Sequence, residues 1–558
     1  MTRVSLLQTN VAAHPNAISL TAADANWTVK ATLLLRRASY QGMSMIDHAN
    51  AITRGELEHI SYDEFTKRYS ADLSDIAAVV AFAQSYGITV NDTHAAAASV
   101  RLEGTVADFN RAFGIILLSV EKTDYTHISY QGMLTIPAEL NGIIEHVFGL
   151  HNPVKLGHAA KMVDSTDSIP AALNALTPLQ IATAYQMPPN TGTGTCVGII
   201  EYGGGYTQQN LTSSFAQISV AVPTITNTNV DGGYNNPADT NGAPEVMLDI
   251  YVAGGIASTS TIAMYWGYGS GSSSPVAGPD WYDPINVAIH DTTNNPTVLS
   301  ISWGAGDNPI TGYWDAGTIA ATDAVLAQAV VLGVTVCAAS GDNGSTWAGY
   351  AEEVLYPASS PYVLACGGTT LQLNVNNSIA SEIAWIGSGG GQSYYESLPG
   401  WQTGLTAESY PGNVIAALTM RGVPDVAGNS DPYTGYQFYW GLSNTLSQYG
   451  GTSACAPMWA GLIARINATI GGRVGFMQTK LYANHTAMRD ITVGNNADYM
   501  DGYQCTVGWD AVTGYGSPVG TSILAVFQSA VTGAVYPNYL VGARPSSGQT
   551  YPRPYILA

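Results

Sequence analysis

From Thr177 onward, short apolar runs typical of β-strands alternate with longer runs that have the apolar spacing of helices. The strand-like runs include CVGIIEY, TIAMYW, PTVLSISWG and VTVCAASGD, and each is apolar at most positions. A strand that is apolar on both faces is typical of a parallel sheet covered by helices on both sides. The pattern therefore predicts one large α/β domain over residues 177–533.

The first 160 residues are organised differently. The runs WTVKATLLLRR and AAASVRLEG are typical of strands, and SYDEFTKRY, DLSDIAAVVAFAQSYG and TVADFNRAFG are typical of helices. This mixture predicts a compact α+β unit over residues 1–160. Residues 161–176 carry no sustained pattern and are predicted to be a linker. Residues 534–558 are rich in Pro, Tyr and Ser and are predicted to form an extended or disordered tail.

The composition argues against two classes of partner. A formal net charge of −21 is unsuited to a protein that neutralises nucleic-acid phosphates. The longest apolar stretch, residues 324–339, is interrupted by Gln328, Gly333 and Thr335, so no membrane span is expected.

The N-terminal segment lacks the apolar core of a secretory signal. The five cysteines contain no CxxC pair. Cys196, Cys337 and Cys366 lie in apolar strand-like runs and are expected to be buried thiols, and the odd count leaves at least one cysteine unpaired or intermolecular.

Basic residues are distributed very unevenly. No Lys or Arg occurs between Lys161 and Arg421, and eight of the ten histidines lie within the first 158 residues. In the predicted α/β domain only His290 and His485 remain. A catalytic site in this domain therefore has few ordinary bases from which to choose.

One serine has the context of a nucleophile. In GGTSACAPMWAGLIARI, Ser453 opens an apolar helix at a tight turn, close to the positive end of the helix dipole. The alternative is an ordinary serine N-cap. The string GGTSACAP resembles the nucleophile segment of subtilisin-like serine peptidases.

A serine nucleophile needs a base, which is usually histidine. His290 ends a helical stretch and His485 lies in a loop-like segment, and neither is in a glycine-rich helix start. The only lysine after residue 161 is Lys480. If Ser453 is catalytic, its base is therefore predicted to be a carboxylate.

Three carboxylates are candidates. Glu245 and Asp249 are four residues apart in PEVMLDIYVAGGIA, which on a helix places both on one face, where they would titrate as a coupled pair. The alternative is an acidic helix start that complements the dipole. Asp342 follows an apolar strand in SGDNG, and a protonated aspartic acid there could donate a hydrogen bond to an oxyanion. The alternative for Asp342 is an Asx turn.

Several motifs occur in the order found in one family. They are GIIEYGGGY, PEVMLDI, SISWG, AASGDNGS, YPASSPYVLACGGT, GSGGGQS, GVPDVAGNSDP, GGTSACAPMWAGL, DITVGNN and GWDAVTGYGSP. On these motifs the chain resembles the sedolisin family of serine-carboxyl peptidases, especially its kumamolisin-like members, over residues 27–530. The resemblance implies a subtilisin-like fold, with helices on both faces of a parallel sheet and an α+β propart before it.

The resemblance also implies roles for individual residues. Ser453 would be the nucleophile, Glu245 its general base and later acid, Asp249 the residue that orients Glu245, and Asp342 the oxyanion donor. Glu201 and Trp303 would extend this hydrogen-bond network. The residues implied to pair with the substrate backbone are Ser302, Gly304, Ser388, Gly389 and Gly390.

A single structural Ca²⁺ site is implied as well. Asp490 and Asp510 match its carboxylate ligands, and Ile491, Thr506 and Gly508 match positions that offer backbone carbonyls, an all-oxygen set that suits this cation. The spacing between the two aspartates is two residues shorter than in kumamolisin-like sequences. Thr506 also stands where a glycine is expected.

Together these features predict an acid-active endopeptidase made as a self-activating zymogen. The propart would inhibit the site, and the linker at 161–176 would be cut on activation. Protein and peptide substrates, secretion into an acidic environment and a monomeric state are expected. The alternatives are a tripeptidyl-peptidase, an esterase or acyltransferase using the same serine, and a catalytically silent binding or surface protein.

The histidines of the propart suggest a trigger for activation. Histidine gains charge first as the pH falls from about 7 to about 5, so propart release is predicted in that range. His146, His151 and His158 are the candidates. The alternative is that they are ordinary surface residues.

Overall fold

The structure is a computed structural model that describes residues 2–6, 17–122, 126–151, 157–158, 160–163, 175–268, 281–309, 313–347, 349 and 352–533. Most of the predicted linker and the predicted tail at 534–558 lie outside the described residues.

The N-terminal unit is the predicted α+β propart. Its strands are β1 (Arg3–Ser5), β2 (Ser19–Ala22), β3 (Thr28–Leu35), β4 (Thr89–His94), β5 (Ser99–Thr105), β6 (Ile116–Glu121), β7 (Thr126–Gln131), β8 (Thr135–Pro137) and β9 (Ile144–Phe148). Its helices are α1 (Met45–Thr53), α2 (Tyr62–Tyr69), α3 (Leu73–Ser85) and α4 (Val106–Phe113). Two short strands follow, β10 (Gly157–His158) and β11 (Lys161–Met162).

Local sequence signals set these elements. Ser44, Ser61 and Thr105 accept hydrogen bonds from the first turns of α1, α2 and α4, as N-cap side chains do. Helix α4 ends at Gly114, whose φ of 66° is the left-handed conformation that glycine favours. The main propart sheet is antiparallel, in the order β4-β5-β3-β9, and α3 and α4 pack their apolar residues against it.

The larger domain follows. Its helices are α5 (Pro178–Ala184), α6 (Gln208–Gln217), α7 (Ala243–Ile256), α8 (Tyr282–His290), α9 (Ala316–Val331), α10 (Thr452–Ile470), α11 (Gln478–Ala483) and α12 (Gly520–Gly533). Its strands up to residue 384 are β12 (Cys196–Glu201), β13 (Ile225–Asn229), β14 (Thr261–Trp266), β15 (Val298–Ile301), β16 (Trp303–Gly306), β17 (Thr335–Ala339), β18 (Leu355–Tyr356), β19 (Leu364–Leu373) and β20 (Ile379–Ala384). The later strands are β21 (Gly391–Ser397), β22 (Thr406–Tyr410), β23 (Ile415–Ala417), β24 (Met420–Val423), β25 (Val426–Asn429), β26 (Tyr436–Trp440), β27 (Thr445–Gly450), β28 (Met488–Arg489), β29 (Gly502–Gln504) and β30 (Ser517–Pro518).

The central sheet of this domain has the order β13-β14-β12-β15-β17-β19-β20, with β25 also paired to β19. All of these pairs are parallel except β19 with β20. Alternate residues of β12 belong to different cores: Val197 and Ile199 pack on the side of α7 and α10, whereas Ile200 packs on the side of α8 and α9. The predicted parallel sheet with helices on both faces is therefore confirmed.

The five cysteines are buried and have free thiols, which confirms the prediction for Cys196, Cys337 and Cys366. In the described ranges, no helix combines the length and the apolar character that a membrane crossing requires.

Helices α7 and α10 lie very close together. At Gly461 of α10, an added Cβ would be 2.8 Å from Cγ2 of Ile256 in α7. The buried guanidinium of Arg465 donates hydrogen bonds to the carbonyls of Ile256, at 2.7 Å, and Pro188, at 2.8 Å. These contacts satisfy the carboxyl end of α7 and fix the two helices relative to each other.

The propart packs onto the face of the larger domain formed by α8 and α9. Met45 and Ala49 of α1, and Phe65 of α2, belong to the same buried cluster as the side chains of those helices. Arg37 donates a 2.7 Å hydrogen bond to Oε1 of Gln328, which also lies 2.7 Å from Nε2 of His290. The propart thus covers a large apolar face and completes a buried polar cluster.

The close approach of α7 and α10 gives a test. Gly461→Ala is expected to destabilise the protein by roughly 1–2 kcal/mol, because the added methyl group overlaps Ile256 in a packed core. Thermal unfolding measures the effect. Gly472→Ala is the matched control, since an added Cβ there meets open space. Equal unfolding temperatures for both variants would show that the helix contact is not tight.

Candidate active site

Helix α7 carries Glu245 and Asp249 into the interior, and both side chains are fully buried. Ser302, between β15 and β16, donates to both carboxyl oxygens of Asp249, at 3.0 and 2.8 Å. Burial, and then the nearby carboxyl groups of Glu245 and Glu201, raise the pKa of Asp249 well above its usual range. Burial therefore favours the protonated form of Asp249, and Ser302 holds its carboxyl group in one position.

A third buried carboxyl group extends this cluster. Glu201 ends β12, and Nε1 of Trp303 donates a 2.8 Å hydrogen bond to its Oε2. Burial, followed by the charge of Glu245, raises the pKa of Glu201 well above its usual range. The structure thus brings together Glu201, Glu245, Asp249 and Trp303, all of which the sequence analysis singled out.

Ser453 lies in the first turn of α10. The N-cap position is Gly451, with φ 108°, so the alternative of a serine N-cap is wrong. The Ser453 Oγ is buried and has no hydrogen-bond partner among the described residues. A buried hydroxyl without a partner is costly, and such groups concentrate at functional sites.

Asp342 follows β17 and faces the start of α10. Its Oδ1 accepts hydrogen bonds from the backbone N–H of Thr452 at 2.7 Å and from the Thr452 hydroxyl at 2.8 Å. Its Oδ2 is buried and has no partner within the described part of the chain. The carboxyl group therefore bonds across the fold and does not form the Asx turn that was the alternative.

The protonation of Asp342 follows from its surroundings. Burial raises its pKa to about 7, Glu245 adds to the effect, and Lys161 opposes it. Since Oδ1 already accepts two donors, the proton is assigned to Oδ2. Below neutral pH, Asp342 thus offers a buried hydrogen-bond donor beside Ser453.

A segment at the end of the propart runs through this site. Gly157 and His158 of β10 pair antiparallel with Gly304 and Trp303, and β11 pairs antiparallel with β27. Nδ1 of His158 lies 3.1 Å from Oε2 of Glu245, an ion-pair distance without the alignment of a good hydrogen bond. Burial alone would lower the pKa of His158, but Glu245 outweighs it and the pKa is raised. This segment therefore blocks Glu245.

Three features were missed by the sequence analysis. They are the two hydrogen bonds from Thr452 to Asp342, the contact of His158 with Glu245, and the hydrogen bond from Nζ of Lys161 to the Asp342 carbonyl. The position of Thr452, directly before Ser453, is a signal that could have identified it. The other two depend on how the propart crosses the site.

The residues expected to bind the substrate backbone fall into two groups. Gly304 pairs with Gly157, so its backbone is available to an extended chain. The groups at 388–390 bond within the domain: the Ser388 hydroxyl donates to the Val512 carbonyl at 2.6 Å, and the Gly389 N–H donates to the Gly341 carbonyl at 2.8 Å. Asn496 donates to the carbonyls of Ser388, at 3.2 Å, and Gly390, at 3.5 Å. Their role in substrate binding stays a prediction.

The expected calcium ligands lie around one loop. The buried Asp510 accepts hydrogen bonds from backbone N–H groups, among them Thr513 at 2.8 Å, and Asp490 accepts one from Gly508 at 2.9 Å. Burial raises the pKa of Asp510 to about 7, and among the described side chains no Lys, Arg or His pairs with it. Within the same ranges, no cluster of three or more His, Cys, Asp or Glu residues is present. A pair of carboxylates suits a hard cation, and a buried carboxylate without a counter-charge fits one.

The family model for the pro-kumamolisin activation domain matches residues 15–153, and the model for the subtilase family matches residues 225–516. Kumamolisin from Bacillus sp. (strain MN-32) is 38% identical over 533 residues, which cover 91% of this chain and 93% of that protein. Sedolisin from Pseudomonas sp. (strain 101) is 27% identical over 483 residues, covering 81% and 79%.

A solved structure agrees with these matches. Pseudomonas sedolisin, a serine-carboxyl proteinase complexed with two molecules of pseudo-iodotyrostatin, superposes with a TM-score of 0.53 at 26% identity. The superposition covers 64% of this chain and 99% of that one.

The buried carboxyl group of Asp342 predicts a pH dependence of stability. A group with a raised pKa stabilises the fold below its ordinary value near 4, and this contribution is lost as pH rises through about 7. In the inactive Ser453→Ala chain, the unfolding temperature is therefore expected to fall between about pH 4 and 7. Asp342→Asn in that background should remove up to about 4 kcal/mol of the difference. Asp63→Asn, at an exposed position, is the control, and equal slopes for both variants would contradict the assignment.

Proposed function

This chain belongs to the sedolisin family of serine-carboxyl peptidases, with a propart before a subtilisin-like peptidase domain, and we propose that it is the self-activating zymogen of an acid-active endopeptidase. The observation that carries the proposal is the set of buried carboxyl groups around Ser453, with the two histidines of the peptidase domain bonded elsewhere. His290 lies against Gln328, and His485 stacks on Tyr515.

In the proposed reaction, Oγ of Ser453 attacks the carbonyl carbon of the scissile peptide and gives its proton to the Glu245 carboxylate. The electrons of the carbonyl bond move to its oxygen. That oxyanion accepts hydrogen bonds from the protonated Asp342 and from the Ser453 N–H. Glu245 then returns the proton to the leaving amine as the C–N bond breaks, leaving an acyl-enzyme.

Water completes the cycle. It gives a proton to Glu245 and attacks the ester carbonyl, and the Ser453 oxygen leaves with that proton. Asp249 is protonated and fixed by Ser302, and it positions Glu245 for both transfers. The buried site excludes bulk water, which strengthens each of these interactions.

The same groups set the upper pH limit. Asp342 must keep its proton to donate, so activity should fall as the pH rises through the raised pKa of this group, which is about 7 in the zymogen. An ordinary carboxyl pKa near about 4 would place this limit further in acid. The difference arises because Asp342 is buried beside other acidic groups. At low pH, activity should fall as the general base gains a proton, which gives a bell-shaped profile.

The path of the propart segment favours an endopeptidase over a tripeptidyl-peptidase. Strand β10 pairs with β16, and β11, which follows it in the chain, pairs with β27 just before the Ser453 helix. A groove that accepts a chain continuing on both sides has no need for a free N-terminus near the cut. The presence of Ser453, Glu245 and Asp342 in one buried group argues against a catalytically silent protein. Secretion and a monomeric state remain predictions from the family and the composition.

One structural Ca²⁺ is proposed at the loop around residues 490–510. Asp490 and Asp510 would bind it through carboxylates, and Ile491, Thr506 and Gly508 through carbonyls. When bound, the ion would neutralise the buried Asp510 and fix the loop.

Acid incubation tests the proposed function. At about pH 4 the wild-type chain should lose the residues ahead of a cut within 161–176 and should digest casein, while Ser453→Ala should stay whole. Intact mass and casein hydrolysis report the two events. If both chains stay whole and inactive between about pH 3 and 7, the peptidase proposal is wrong.

Two histidines should shift the activation pH in opposite directions. Burial lowers the pKa of His146 to about 4 in the docked propart. Between about pH 4 and 6.5 this histidine is therefore protonated in the released propart but not in the docked one. As a result, docking weakens as the pH falls below about 6.5. His146→Gln should therefore move activation to lower pH by roughly half a unit. The pKa of His158 is raised in the docked state, so His158→Gln should move activation to higher pH. The midpoint pH of self-cleavage is the readout, with exposed His485→Gln as control; shifts in the same direction would refute this account.

Removing calcium should lower stability. In the Ser453→Ala chain a chelator is expected to reduce the unfolding temperature by several degrees, because a ligand bound only to the folded state stabilises it. Asp490→Asn should lower the temperature and abolish the effect of the chelator. If neither the chelator nor Asp490→Asn changes the unfolding temperature, the calcium site is excluded.

A further inference from the structure

The side chain of Lys161 occupies a pocket built by the peptidase domain. Its Nζ donates a hydrogen bond to the backbone carbonyl of Asp342 and lies 5.6 Å from the ring centroid of Trp385 and 5.8 Å from that of Tyr499. We call these three groups, the Asp342 carbonyl and the two rings, the lysine pocket. All of them remain when the propart is removed.

The pocket has the chemistry that recognises a cation on a flexible stem. An ammonium group within about 6 Å of an aromatic face is attracted by the ring quadrupole, and the carbonyl accepts one of its protons. Trp385 is 6% exposed and forms a fixed wall, whereas Tyr499 is 64% exposed and forms the outer one. The same residue that supplies the carbonyl carries the carboxyl group that accepts a hydrogen bond from the N–H of Thr452, the residue directly before Ser453. The pocket is therefore next to the reacting atoms.

We propose that the lysine pocket is a substrate subsite that selects a Lys or Arg side chain close to the scissile bond, so that basic protein segments are the preferred substrates. This inference rests on the proposed peptidase function and specifies its substrate class. In the zymogen, Lys161 occupies the subsite in place of the substrate.

The composition of the pocket suits work in acid. A pocket that used carboxylates to bind a cation would lose charge as they took up protons. Aromatic faces and a backbone carbonyl gain no proton, and lysine and arginine stay charged throughout the range. The lysine pocket therefore keeps its selectivity at the pH where Asp342 can donate.

The sequence of the peptidase domain is consistent with such a preference. No Lys or Arg occurs from residue 162 to residue 420, so one copy offers another no basic side chain over this stretch. The next two arginines, Arg421 and Arg465, are buried. An enzyme that selects basic side chains would spare this stretch of its own folded domain.

Peptide hydrolysis is the first arm of the test. Each peptide of a set has norleucine at every varied position except one, which is lysine, and the position of the lysine differs from peptide to peptide. The kcat/KM of the acid-activated enzyme is measured for each peptide. One position should favour lysine over norleucine by about tenfold. Tyr499→Leu should reduce that ratio about threefold or more, Tyr499→Phe should keep it, and Tyr234→Leu, at another exposed tyrosine, should not change it. The inference would be overturned if the active enzyme showed no preference for lysine. It would also be overturned if Tyr499→Leu left the ratio of kcat/KM for lysine to that for norleucine unchanged.

The second arm does not depend on activity. In the Ser453→Ala zymogen, trypsin should cut after Lys161 slowly, and Tyr499→Leu should speed this cut about three- to tenfold, because it frees the side chain. Tyr499→Phe and Tyr234→Leu should leave the rate unchanged. Equal rates in all four chains would show that the pocket does not hold Lys161. A wild type that cleaves no peptide would overturn the peptidase proposal and the subsite with it, while this arm still reports on the pocket.

Discussion

Burial of several carboxyl groups in one apolar core is the constraint on which the site depends. Removing a carboxylate from water without a compensating cation is costly, so such a group keeps its proton to a higher pH than it would in solution. Asp249 and Asp342 are both in this situation. In the proposed mechanism, the proton of Asp249 helps to position Glu245, and the proton of Asp342 is donated to the oxyanion. The usual base of a serine nucleophile is histidine. In the mechanism proposed for this chain, buried carboxyl groups take the place of that histidine.

The packing of helices and sheet keeps the carboxyl groups and Ser453 buried and close together. Glu245 and Asp249 are on α7, Ser453 is on α10, and the two helices touch at Gly461, where a side chain would separate them. The parallel sheet supplies Glu201 and Asp342 from strand ends on the same edge, as is general for α/β sites. The propart then closes the groove with its own extended segment. Its two strands, β10 and β11, pair with β16 and β27 of the peptidase domain.

Much of this was accessible from the sequence. Strands apolar on both faces predicted the covered parallel sheet. The shortage of histidine predicted a carboxylate base, with Glu245, Asp249 and Asp342 as candidates. The structure places the first two on α7, which packs against the Ser453 helix, and it bonds Asp342 to Thr452 at the start of that helix. What could not be predicted depends on contacts between residues far apart in the chain. The bonds from Thr452 to Asp342 span 110 residues, and the approach of His158 to Glu245 requires the path of the propart. The pKa of Asp342, about 7, follows from its burial depth, which no local pattern encodes.

The central claim is that a carboxylate accepts the proton of Ser453, and Glu245→Gln tests it most directly. The amide keeps the shape of the side chain but cannot take up the proton. Self-cleavage of the full chain at about pH 4, followed by intact mass, measures a single turnover without any added substrate. We predict a rate at least about a thousandfold below wild type, with an unchanged unfolding temperature. Self-cleavage within about tenfold of wild type would contradict the account and require another base for Ser453.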